Sequence, residues 1–327
     1  MALKRYGQAA CDALAAAMQA DERIVVLGED VGRGGIFGQY RGLQERFGAL
    51  RVIDTPISES TIMGAAVGMA LAGLRPVVEM RVADFALCAM DELVNQAAKA
   101  RYMLGGQVRV PLVARLPIGI WSASAAQHSQ SFESWFAHVP GLVVVAPATA
   151  ADNAGLLVAA LESDDPVVYL EHKELWGIED DVPEHHRVPL GSAHVARAGT
   201  DVTLVTWSRG LAPSLEAAAA AAARGLSVEV VDLRTIWPWD REAVLASAAK
   251  TRRLLVTHES IEAAGFGAEI AATVAEELGI PVRRLGGPRV PVGYSRPLEQ
   301  AARLDTHAIL AKLVALGAQD RRRRSVA

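Results

Sequence analysis

The 327 residues are 51% hydrophobic and 21% charged, enough apolar side chains for two packed cores at roughly 100–200 residues per domain. A formal net charge of −4 supplies no field for nucleic acid or anionic lipid, so both are excluded as expected partners. Two cysteines are too few for a secreted disulfide framework or a thiolate zinc cluster. With no signal-peptide core at Met1-Ala2-Leu3-Lys4-Arg5-Tyr6 and no apolar run of the roughly 18 residues a span needs, a cytoplasmic chain outside the membrane is expected.

Taken along the chain, Ile24-Val25-Val26-Leu27 reads as a short buried strand. The glycine-rich loop 28–38 after it fails the dinucleotide fingerprint, because Phe37 stands where the third glycine belongs, and no phosphate-loop lysine follows. Asp54-Thr55-Pro56-Ile57-Ser58-Glu59 then runs straight into a helix of small apolar residues, with Gly64 and Gly68 on one face. An acid placed there is costly unless something uses it, so Glu59 is the first candidate. Its plain alternative is a helix-start acid favoured by the macrodipole.

Further strands are expected at 76–80, 112–115, 142–145 and 166–170, with helices at 84–104 and 149–162. This alternation predicts an open, mostly parallel α/β sheet covered on both faces. Acidic, proline-bearing residues between Trp176 and Ser192 read as a linker, which divides the chain into domains 1–185 and 186–327. The second half repeats the α/β scheme: strand 202–207, helix 211–224 with its alanine run, strand 227–232, strand 254–257, helix 264–278 and strand 281–285. Arg321-Arg322-Arg323-Arg324 is expected to be a solvated tail or a dock for an acidic partner.

Three chemical signatures fail. Ser129 adjoins His128, but neighbours on a chain seldom point at each other, and triads are assembled from distant segments. Gly293-Tyr294-Ser295-Arg296-Pro297 lacks the second glycine of a nucleophile elbow, and His258-Glu259 is followed by Glu262 where a second metal-binding histidine belongs. His128 remains of interest for its setting, a polar island Gln127-His128-Ser129-Gln130-Ser131 ahead of Trp135-Phe136.

Several ordered motifs then resemble one family. They are Leu27-Gly28-Glu29-Asp30-Val31, Arg51 through Glu59, Arg75-Pro76-Val77-Val78-Glu79, Ala83-Asp84-Phe85, Asn95 through Tyr102, Gln127 through Ser131, His138-Val139-Pro140-Gly141-Leu142 and Asp232-Leu233-Arg234-Thr235-Ile236. Together, over about residues 5–315, they resemble the beta subunit of thiamine-diphosphate-dependent 2-oxo acid dehydrogenases, of pyruvate, branched-chain or acetoin type.

The resemblance implies a pyrimidine-binding domain followed by a transketolase C-terminal-like domain. It implies that Glu59 hydrogen-bonds a ring nitrogen of the cofactor's aminopyrimidine, where a carboxyl among apolar residues can share a proton. By the same likeness Phe85 stacks on that ring, Ile57 supports the cofactor's bent shape, Glu29 lines the pocket, and His128 acts near the thiazolium in proton transfer or in guiding the acyl acceptor. Leu112, Ala160, Leu161, Ser163 and Asp165 match a loop that holds potassium in some relatives. Gly-Asp-Gly, which normally binds the magnesium and diphosphate, does not occur. The resemblance assigns those groups to an alpha subunit in an α2β2 heterotetramer, with a lipoyl-acyltransferase as acyl acceptor.

Two departures stand out. Arg81 replaces the usual Gln and is expected either beside the cofactor, selecting an acidic substrate, or in an interface ion pair. Ile120-Trp121-Ser122-Ala123-Ser124 replaces a glycine-rich loop, narrowing the approach of a lipoyl arm. A split transketolase-like carboligase and a non-catalytic scaffold subunit are the alternative functions, and a scaffold has no use for Glu59, Phe85 and His128 together.

Overall fold

In this computed structural model residues 1–324 are described, with side chains through residue 318. The chain forms two units. The first comprises Met1–Trp121, Gln127–Leu190 and Ile236–Pro238, and the second Ser122–Ala126, Gly191–Thr235 and Trp239–Ala327. The main border therefore falls at Leu190/Gly191, with two short crossings that composition does not signal. The expected linker is partly structured, because Glu179–Val182 is a strand paired antiparallel with Ala2–Arg5, Ala2 opposite Val182. Its acids have local work: Glu179 pairs with Arg5 at 3.0 Å, and the Asp180 carboxylate accepts from the Ala150 N–H at the start of a helix.

The first unit is built on a seven-stranded sheet among the described residues. Its order is Thr235–Trp237, Val143–Val145, Val167–His172, Val113–Ile118, Arg75–Glu79, Ile24–Gly28, Val52–Asp54. The strands from 143 to 172 and from 24 to 118 pair in parallel, and their Val, Ile and Leu residues are buried except for the partly buried Ile53 and Val143, as in a sheet covered on both faces. Helices Tyr6–Ala20 and Ala150–Glu162 pack against one another and place Leu14, Met18, Leu156 and Leu157 in the core beside Ile24, Val26, Val77 and Val167. Each such side chain contributes about 1.5–3 kcal/mol on burial.

The helix expected over 84–104 is instead three pieces: a 3-10 stretch Ala83–Ala89, a π-helical stretch Asp91–Ala97 and an α-helical turn Ala98–Met103. Periodicity marks the segment as helical but cannot show that its hydrogen-bond register changes twice; such register changes are frequent at functional positions.

Under the sheet's carboxyl edge lies a buried ionic network. Arg115 and Glu171 form a two-pronged pair at 2.8 and 2.7 Å with both side chains fully buried. The Asn153 side-chain amide also donates to Glu171, and the Arg115 guanidinium lies 4.9 Å from the centre of the Tyr40 ring. The Tyr40 hydroxyl donates to Glu79 at 2.7 Å. Burial pushes the Glu79 carboxyl up to about 7, against the opposing pull of Arg115 and of the Tyr40 bond.

The second unit carries a five-stranded sheet among the described residues, in the order Val282–Gly287, Leu254–Ile261, Val202–Thr206, Val228–Asp232, His194–Arg197, all parallel except the last. The expected βαβ unit is present: helix Leu211–Ala222 connects parallel strands with Val202 opposite Val228, burying Ala217, Ala218 and Ala221. His258 is fully buried in this unit, stacked on Trp207 at 5.0 Å between ring centres, in a slot walled by Gly265, Gly267 and Gly286. A Cβ on any of the three glycines would come within 2.9 Å of that imidazole. The basic run at 321–324 ends the helix Thr306–Arg324, and its side chains, with the solvated-tail expectation, lie outside the described residues.

Candidate functional site

Parallel strands deliver their following loops to one edge, and in open α/β sheets that carboxyl edge is where ligands bind. Register fixes which loops meet there: Gly28 lies opposite both Asp54 and Glu79, Glu79 opposite Arg115, and Ile118 opposite His172. Glu29 follows the first of these strands, Ile57 and Glu59 the second, Arg81 and Phe85 the third, and His128 the fourth. Candidates scattered over 100 residues of sequence thus belong to one rim.

Phe85 and His128 are in contact, ring centres 5.2 Å apart and planes at 83°. Phe85 is half-buried on the 3-10 stretch, and His128 is exposed at the end of the turn Ala126–His128. The loop around the histidine is tied down. Gln130 donates its side-chain amide to Asp84 at 2.7 Å, its carbonyl accepts from the Gly119 N–H at 3.2 Å, and the Lys173 ammonium donates to the His128 carbonyl. Gly119 has φ +90°, and a Cβ there would fall 1.9 Å from the His172 ring, so this close approach admits only glycine.

Glu59 opens helix Glu59–Leu71, the first-turn place where the macrodipole favours an acid. It is half-buried rather than enclosed among apolar groups. Further along the same helix Ala65 and Gly68 also face outward, and a Cβ added to Gly68 would meet nothing within 4 Å. Ile57, expected to brace a ligand, is 76% exposed and packs on little of its own chain.

Arg81 follows strand Arg75–Glu79 on this rim and is ion-paired within its own chain. Its guanidinium donates within the chain to Glu29 at 3.4 Å and Asp30 at 3.2 Å. Glu29 is buried, so a neighbouring cation offsets the cost of keeping an acid there. Arg81 and Asp30 both adopt left-handed backbone, φ 53° and 56°, at the ends of adjacent strands.

The loop matched to potassium binding lies on the opposite, amino edge, where Leu112 precedes strand Val113–Ile118 and residues 160–165 precede Val167–His172. All five carbonyls already accept a hydrogen bond within the chain. The Arg75 guanidinium holds those of Leu161 and Ser163 at 2.9 Å each, while Leu112, Ala160 and Asp165 accept from Val167, Ser163 and the Ser163 hydroxyl. A carbonyl has a second lone pair, so this donor set fits a monovalent cation only by sharing oxygens with a fixed guanidinium.

Residues 4–179 match the family model described as "Transketolase, pyrimidine binding domain", and residues 191–309 match "Transketolase, C-terminal domain". The chain is 44% identical over 297 residues to "Pyruvate dehydrogenase E1 component subunit beta" of Rickettsia bellii, covering 89% of this chain and 91% of that one. It belongs to the transketolase-like family of 2-oxo acid dehydrogenase beta subunits. The same-named protein of Rhizobium meliloti is 42% identical over 309 residues, 92% of this chain and 67% of the relative. A solved structure titled "Split gene transketolase, inactive beta4 tetramer" superposes with a TM-score of 0.81 over 96% of this chain and 98% of that one. At 24% identity it speaks to the fold alone.

Sequence reasoning missed Lys173, Asp84 and Arg75. Asp84 stands inside a quoted motif and could have been found there. Lys173 sits in Glu171-His172-Lys173-Glu174, which reads as a solvated charge run, and only the fold shows it buried. Among the described residues no helix is long and apolar enough to cross a membrane.

Proposed function

We propose that this chain is the beta subunit of a thiamine-diphosphate-dependent enzyme that decarboxylates a 2-oxo acid and passes the acyl unit to a lipoyl-acyltransferase. The observation that carries the reading is the Phe85–His128 contact, on the rim that also bears Glu59, in a chain of this family. Thiamine diphosphate, when bound, supplies the electron sink that lets carbon dioxide leave a 2-oxo acid.

This chain's residues fit the aminopyrimidine end of that cofactor. Phe85 offers a half-buried aromatic surface, and Glu59 offers a carboxylate that accepts from or shares a proton with a ring nitrogen. Arg81 holds the Glu29 side chain in place through their 3.4 Å ion pair. His128, exposed and edge-on to Phe85, takes up or delivers the proton that the reacting carbon or acyl acceptor requires.

The residues do not fit the metal-diphosphate end. Among the described residues no group of three or more His, Cys, Asp and Glu side chains could hold a metal ion. Because Gly-Asp-Gly does not occur in the sequence, magnesium and the diphosphate are assigned to an alpha subunit in an α2β2 assembly, and potassium at the Leu161–Asp165 loop would be structural, away from the chemistry.

Calorimetric titration tests this division. Thiamine diphosphate with magnesium should bind saturably to the chain co-purified with its partner, and the chain alone should give no saturable heat. Tight, magnesium-dependent binding by the chain alone contradicts the assignment.

A further inference from the structure

Lys173 opens the turn Lys173–Leu175 directly after strand Val167–His172 and is only 3% exposed. A buried ammonium persists only where it is hydrogen-bonded, and this one donates to the backbone carbonyl of His128.

The stretch ahead of that histidine is strained. Ser122, Ala123 and Ala125 hold left-handed backbone at φ 50°, 56° and 61°, although none is a glycine. Such conformations last only where their surroundings over-determine them. Among the ties that hold the loop are the Glu299 carboxylate accepting from the Ala123 N–H at 3.0 Å and the Lys173 ammonium on the His128 carbonyl. Hydrogen bonds from a charged donor are the stronger kind, and the Lys173 bond acts on the histidine itself.

We infer that Lys173 is a positioning residue, whose buried ammonium fixes the His128 backbone and so sets the imidazole edge-on to Phe85 at the point of reaction. The inference rests on the assignment of His128 as the proton-transfer group. Removing the ammonium lets the strained loop relax, and the imidazole then samples positions away from Phe85.

The test uses the full chain in complex with its partner and two readouts. In Lys173→Met, hydrogen exchange across residues 119–131 should quicken about tenfold or more, with strands elsewhere unchanged. Turnover of a 2-oxo acid should fall about ten- to a hundredfold with KM within about twofold, since only a group used in the transition state is displaced. Lys173→Arg should restore both, and in a His128→Ala background Lys173→Met should cost less than about twofold more. Should Lys173→Met fail to assemble, Lys173→Gln carries the same comparison. Unchanged loop exchange, or full additivity with His128→Ala, overturns the inference. A wild-type complex that decarboxylates no 2-oxo acid removes the functional reading instead, and loop exchange still decides the role of Lys173.

Discussion

Glu59→Gln in the reconstituted complex should lower turnover about 10²- to 10⁴-fold, the range lost with a proton-transferring group. The amide is nearly the same size but cannot take or share a proton with a ring nitrogen. Because Glu59 is half-buried at a helix start, the substitution should leave stability within about 0.5 kcal/mol, so the thermal midpoint serves as the control. Glu59→Asp separates charge from reach. It retains the carboxylate on a shorter stem and should recover little activity, because proton transfer needs hydrogen-bond distance as well as the right group. Turnover unchanged in Glu59→Gln would favour the scaffold alternative.

The second large effect is on stability and has opposite signs in the two units. Burial holds the His258 imidazole down at about 4, with the Arg284 charge lowering it further and the Ser260 carbonyl opposing. Its ordinary value is 6.5, and a depressed value means that the unfolded chain binds the proton more readily. The contribution is therefore fully present above pH 6.5 and is lost as pH falls towards 4, a cost of about 3 kcal/mol to the second unit.

Glu79 is raised from 4.5 to about 7, so there the folded chain binds the proton more readily. Its contribution is complete below pH 4.5 and is lost as pH rises through 7, again about 3 kcal/mol, from the first unit. Hydrogen exchange corrected for intrinsic rates should show protection in strand Leu254–Ile261 falling on acidification and protection in strand Arg75–Glu79 falling on alkalinisation. His258→Phe should flatten the first response and Glu79→Gln the second. Parallel responses of both units, or no change in either variant, would contradict this assignment of the titrating groups.

Most of the sheet framework was legible because buried parallel strands leave short apolar runs. Ile24-Val25-Val26-Leu27 and Val228-Glu229-Val230-Val231 read the same way in sequence and in structure. What stayed hidden depends on contacts distant in sequence. Glu179–Val182 looks like linker because its pairing partner, Ala2–Arg5, lies some 175 residues away and contributes no local pattern. The change of helical register through 83–103 leaves no periodicity of its own.

At the site, the motifs supplied Glu59, Phe85 and His128, and the strand register explains why they share an edge. Arg81 was recognised as unusual, yet its partners were not, since Glu29 and Asp30 reach it only through the pairing of adjacent strands. Lys173 was invisible for the same reason: a lysine among charged residues normally points to water, and a fold is needed to bury it.

Release of labelled carbon dioxide from a carboxyl-labelled 2-oxo acid by the chain co-purified with its partner tests the central claim most directly. The account predicts release that requires added thiamine diphosphate and magnesium and is lost in Glu59→Gln. Release that persists undiminished in Glu59→Gln, or a cofactor-saturated complex that releases none from any 2-oxo acid, would contradict it.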